Sequence, residues 1–242
     1  MPTLREWLAT EPYTLAMSSG FFSFFTHAGF LSVLEDERLL PARICGSSAG
    51  ALIGGLFAAG LGTADIQDAL HKLRRGDFWD PTLGLGLLRG QRFEALLERL
   101  LPVTTFEACR LPLAISVFEV RTRQTVVLRG GPLASALHAS CAVPLLFQPV
   151  RVGPGLYLDG GVLDRPGLAG AGDQPRILYH HIKSRSPWRR RQSLALRIPQ
   201  RSGLQAIALD GIPRLGPFRL DQGPEAMRRA AEATRAALAQ PV

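Results

Sequence analysis

The chain has 242 residues, 46% hydrophobic and 20% charged, which suffices for one sizeable core and excludes a disordered polymer. Its three cysteines, Cys45, Cys109 and Cys141, contain no C-x-x-C-like pair, which excludes a disulfide scaffold and a thiolate zinc site and leaves them expected as reduced thiols. Net charge is +8, but seven basic residues and no acidic one fall between Lys183 and Arg201, so the basicity is a local patch and a nucleic-acid partner is not expected.

The opening MPTLREWLATEPYT lacks the basic-then-apolar layout of a signal peptide, and no run approaches the about 20 apolar residues of a membrane span. A cytoplasmic protein, peripheral at most to a membrane, is the expectation. The first strong element is Tyr13 to Met17, an apolar run ended by Ser18-Ser19-Gly20, which reads as a buried strand entering a turn. Phe21 to Glu37 has apolar residues near helical spacing. The grammar then repeats: a short strand Arg43 to Cys45, a small-residue turn Gly46 to Gly50, and an apolar helix Ala51 to Ala59 stopped by Gly60. Two such units predict an α/β protein, a three-layer sandwich around a mostly parallel sheet.

Helices are expected at Thr63 to Arg75 and Arg92 to Leu101, joined by the Gly/Leu-rich loop Pro81 to Gly90. A strand pair follows at Pro112 to Glu119 and Thr125 to Leu128, then a helix at Leu133 to Cys141. Gly155 to Leu158 leads into Asp159-Gly160-Gly161; strands at Arg176 to Ile182 and Ala206 to Leu209 and a helix at Glu225 to Ala239 complete the chain. No repeat or linker divides it, so residues 1–242 are expected to form one domain.

Gly46-x-Ser48-x-Gly50 matches a nucleophile elbow, where small flanking residues allow a sharp strand-to-helix turn that exposes a serine hydroxyl. A chance match has a probability of roughly one in seven at ordinary composition, so the strand before and the helix after carry the weight. At such a helix N-terminus the unpaired N–H groups favour developing negative charge. A serine hydroxyl needs a base, and His27, His138, His180 and His181 are available beside Asp159. The chain order Ser48, Asp159, then His180 or His181 allows a triad, although both of those histidines lie inside an expected strand.

The segment from Leu15 to Gly60 and the block HASCAVPLLFQPV (His138 to Val150), followed by Tyr157-Leu158-Asp159-Gly160-Gly161, resemble the two signatures of patatin-like phospholipases over roughly residues 13 to 166. The resemblance implies a dyad, with Ser48 as nucleophile and Asp159 as base, no histidine between them, and neither metal nor cofactor. It implies an oxyanion hole from the backbone N–H groups of Gly20, Phe21 and Ala49, with Gly46, Gly50, Gly160 and Gly161 as motif glycines. Asp159 would then have to be partly desolvated and within hydrogen-bond reach of the hydroxyl.

One motif departs from the pattern. The family's run of three glycines, any residue, arginine and glycine reads here Ser19, Gly20, Phe21, Phe22, Ser23, Phe24. A positive φ forced on Phe21 would be strained. The phenylalanines Phe21, Phe22, Phe24, Phe25 and Phe30 are candidates for an acyl pocket or for core packing. The expected activity is hydrolysis of carboxylic esters of lipids through an acyl-enzyme; the alternative is a catalytically impaired protein of the same fold that binds lipid or a protein partner. Lys183 to Arg201, with Trp188 and Leu194 among its arginines, is the expected contact with anionic membrane.

Overall fold

The computed structural model describes residues 1–183, 193 and 196–242. Most of the basic segment Lys183 to Arg201 lies outside them. A helix that the sequence reading did not anticipate, α1 (Leu4–Thr10), opens the chain. It is set by a capping box in which Glu6 N–H donates to Thr3 Oγ1 at 3.2 Å and Thr3 N–H donates to the Glu6 carboxylate at 2.7 Å. The two expected strand-turn-helix units follow as β1 (Thr14–Met17) with α2 (Phe24–Asp36), and β2 (Arg43–Ser47) with α3 (Ala49–Ala59). After them come α4 (Thr63–Lys72), α5 (Gln91–Leu100), β3 (Leu113–Glu119), β4 (Gln124–Leu128) and α6 (Leu133–Cys141). The short β5 (Val150–Val152), also unanticipated, leads to β6 (Gly155–Asp159), β7 (Ile177–His181), β8 (Leu204–Ala208) and α7 (Gly223–Leu238).

The fold is α/β, a central sheet flanked by helices. Its path of pairings is β5-β6-β3-β2-β1-β7-β8, with β4 also on β3. Neighbours from β3 to β8 along this path are parallel, whereas β4 and β6 run antiparallel to β3. Alternation along the parallel strands sorts side chains by size. Leu15, Met17, Ile44, Ile115, Val117 and Leu178 join the large core with the apolar helices, while Ala16, Cys45, Ala114, Ile177 and Tyr179 turn to a smaller cluster closed by Ala171.

The register around β3 decides where the functional residues meet. Residues Ile115 to Glu119 pair with β4 on one side. Because Ile115 and Ser116 also pair with β2, and Val117 to Glu119 with β6, both β2 and β6 must occupy the other side. They approach head-on: Ser47, the last residue of β2, is opposite Ser116, and Asp159, the last of β6, is opposite Val117.

Candidate active site

Ser48 follows β2 directly and caps α3 with φ 53° and ψ −121°, a conformation few side-chain-bearing residues adopt. The strain is of order 1–3 kcal/mol. It is held by packing, because α3 lies so close to β1 that a Cβ on Gly50 would come within 2.2 Å of Met17 O. Only glycine permits that approach. The Ser48 N–H donates to Ser140 Oγ at 2.9 Å, and the Ser140 hydroxyl donates to Ser116 O at 2.8 Å, so a fully buried serine ties the elbow to β3.

The Ser48 hydroxyl donates to Asp159 Oδ2 at 2.6 Å across 111 residues. Both residues are buried. The other carboxylate oxygen accepts Gly161 N–H at 2.7 Å, which leaves Oδ2 facing the serine. A Cβ on Gly160 would stand 2.1 Å from Ser116 O, so the chain turns against β3 with no room for a side chain. Beyond it, Asp164 accepts from Ser116 Oγ at 2.6 Å and from the N–H groups of Gly167, Leu168 and Ala169, which fixes the loop that follows.

The turn after β1 lies beside the elbow, since Met17 is opposite Gly46 in the parallel pair. Ser23 N–H donates to Gly20 O at 3.0 Å and closes it. The strained residue there is Phe22, with φ 54°, and not Phe21. Phe22 occupies the third position of the Gly20–Ser23 turn and rests on the rings of Phe21, Phe24 and Phe78 at 4.9, 5.3 and 5.9 Å. Of the five clustered phenylalanines, Phe25 and Phe30 are core residues. Phe21 and Phe22 line a cleft of about 440 Å³ with Ile182, Leu209 and Ile212; Ser48 and Asp159 are not in its lining. Ala49 begins α3, so its N–H is one of the first-turn donors that no helical carbonyl reaches.

The histidines are engaged away from Ser48. His27 and His180 face each other, Nδ1 to Nδ1 at 2.8 Å, with His27 Nε2 on Ser18 O. His181 bonds Tyr179, and His138 bonds Glu94. The triad order in the chain is thus not matched by contact in space. Two neighbours of the site escaped sequence reasoning, Ser140 and Cys141. Both lie in the quoted block, but nothing in their spacing distinguishes them from small core residues. Cys141 has its thiol pushed well above the ordinary range, first by desolvation and then by the Asp159 charge.

A family model described as patatin-like phospholipase matches residues 15–171. An uncharacterized NTE family protein of Mycobacterium bovis is 29% identical over 153 residues, covering 62% of this chain and 42% of that protein. A second, from Mycobacterium tuberculosis, is 28% identical over 164 residues, covering 66% of this chain and 28% of its own. The chain therefore spans less than half the length of these relatives. The crystal structure of VipD from Legionella pneumophila superposes with a TM-score of 0.68 at 14% identity, covering 95% of this chain and 67% of that one, a likeness of fold.

Proposed function

Because the chain belongs to the patatin-like phospholipase family, we propose that it is a lipid acyl hydrolase working through a Ser48–Asp159 dyad. The observation that carries this reading is the 2.6 Å bond from the Ser48 hydroxyl to Asp159 Oδ2, made by a serine on a strained elbow at a helix N-terminus. In the proposed mechanism Asp159 takes the hydroxyl proton as Oγ attacks the ester carbonyl. The developing oxyanion is met by the Ala49 N–H and by backbone N–H groups of the turn at Gly20 and Phe21, at the positive end of α3. Collapse expels the alcohol, which takes the proton back from Asp159, and water then cleaves the acyl-enzyme with Asp159 again as base. Among the described residues no helix is long and apolar enough to cross a membrane. The basic stretch Lys183 to Arg201 supplies a salt-sensitive attraction to anionic headgroups in this reading.

A fluorophosphonate probe with mass-spectrometric mapping tests nucleophile, oxyanion donors and access together. Labelling confined to Ser48 is expected. A protein that takes no label, yet binds lipid, would favour the impaired alternative, for which the bulky Phe21-Phe22 turn is the structural argument.

A further inference from the structure

The loop between α4 and α5 carries its leucines inside out. In Leu83-Gly84-Leu85-Gly86-Leu87 the side-chain direction of Gly84 meets the Gln148 side chain and that of the buried Gly86 meets the Phe147 backbone, while the leucines face water. Leu83 is 100% exposed, Leu85 76% and Leu87 49%, whereas Leu88 is buried. The arrangement is built rather than slack. Leu87 N–H and Leu88 N–H donate to Leu145 O and Leu146 O at 3.0 and 2.7 Å, and Gln148 N–H returns to Leu88 O at 3.0 Å. The Gln148 side chain bridges Leu85 N–H and Gly86 O at 3.1 and 2.7 Å. A Cβ on Gly86 would lie 2.2 Å from the Phe147 backbone, so the close lacing of the two loops is what turns the leucines outward.

The second loop adds Leu145, 84% exposed and held at φ 68°. It stands five residues after Ser140, which accepts the Ser48 N–H, and three after Ala142, whose carbonyl accepts the Asp159 N–H at 2.9 Å. Leu163, also exposed, stands four residues after Asp159. Four residues span at most about 14 Å. The exposed Leu145 and Leu163 therefore lie within that reach of the Ser48–Asp159 site. At the base of the loop, Trp79 and the exposed Phe218 stack edge to face at 6.1 Å, and the Arg75 guanidinium lies 5.0 Å from the Phe218 ring and 5.8 Å from that of Trp79.

We propose that the paired loops 81–88 and 143–148 insert their leucines into a lipid surface and so seat the Ser48–Asp159 site on its substrate. The choice of occupant rests on the lipid-hydrolase reading above and on the layering of the lip they form. Leucines form its tip, and the rings of Trp79 and Phe218 with Arg75 form its base, the order of acyl region and headgroup region across a bilayer face.

The test uses the full chain with Ser48→Ala, so that docking is measured without turnover, and vesicles of phosphatidylcholine with phosphatidylglycerol. Leu83→Trp in that background should gain tryptophan fluorescence that brominated phosphatidylcholine quenches. Leu83→Ser/Leu85→Ser should sediment with vesicles about tenfold less than the Ser48→Ala parent in high salt, where the basic segment is screened. Absent quenching, or equal sedimentation of the double variant, overturns the proposal. So does concentration-dependent self-association that the double variant abolishes without any change in vesicle binding, which would make a second copy the occupant. If the double variant fails to fold, the Leu83→Trp quenching decides alone. Docking of the Ser48→Ala protein stands whether or not Ser48 takes the fluorophosphonate, so this idea and the hydrolase reading fail separately.

Discussion

At Ser48 a single residue joins the end of a strand to the start of a helix, and with φ at 53° its hydroxyl meets Asp159. Ser48→Ala should bring hydrolysis of a short-chain nitrophenyl ester to background. Asp159→Asn, nearly isosteric but unable to accept the proton, should lower turnover at least about a hundredfold, with the melting temperature of each variant measured as the control for folding. Phe22→Gly probes the turn. Relief of the left-handed backbone, about 1–2 kcal/mol, is opposed by the greater unfolded-state entropy of glycine and by three lost ring contacts of about 0.5–1.5 kcal/mol each. The variant should therefore melt lower while its turnover on a small ester, measured well below both midpoints, stays within a few-fold, because the backbone N–H groups remain. A large fall in turnover would show that the phenyl ring itself shapes the donors. The turns that carry Ser48 and Asp159 could be read from the sequence because glycine neighbours mark them. Phe22 could not, since the residue that takes the positive φ depends on how the turn closes, one position from where the motif alignment puts the strain.

Between elements, the contact of α2 with β7 buries an imidazole pair whose tautomers follow from its partners. Ser18 O can only accept, so His27 Nε2 carries its proton and His27 Nδ1 accepts from His180 Nδ1–H. His180 Nε2 is left without a partner among the described residues, and the His180 ring stacks on Phe30 at 3.9 Å. Burial pushes His27 down to about 4 and His180 well below its ordinary range, with the Arg165 charge also disfavouring His27⁺. Both folded values lie beneath the unfolded one near 6.5, so the unfolded chain binds more protons between about pH 4 and 6.5, and stability should fall as pH drops through that window. Each such proton contributes about 1.4 kcal/mol per pH unit. Calorimetric melts from pH 8 to 4 should show the slope, and His27→Leu/His180→Leu should flatten it; an unchanged slope would place the protons elsewhere. The sequence showed His180 and His181 inside a strand, which argued against a triad, but not that His180 pairs with His27 of α2. Element types followed from apolar period and glycine stops. α1 escaped although Thr3 and Glu6 have capping-box spacing, because its few turns bury only Leu4 and Leu8.

Across the whole molecule, the meeting of Ser48 with Asp159 depends on the register of the sheet. Neither signature motif states that β2 and β6 share one side of β3, because that is fixed by pairings spread from residue 44 to residue 159 and by the β4 hairpin on the opposite side. In urea, ester hydrolysis and global unfolding followed by circular dichroism should therefore share one midpoint. Loss of activity at clearly lower urea would show that the β6 end opens alone. The same geometry orders events in time. On the proposed reading a growing chain exposes its nucleophile 111 residues before its base has been made, and the two join only when the strand carrying Asp159 closes against β3. On that reading a half-synthesised protein would be harmless to the lipids around it, and the capacity to damage a membrane would arrive together with the completed sheet.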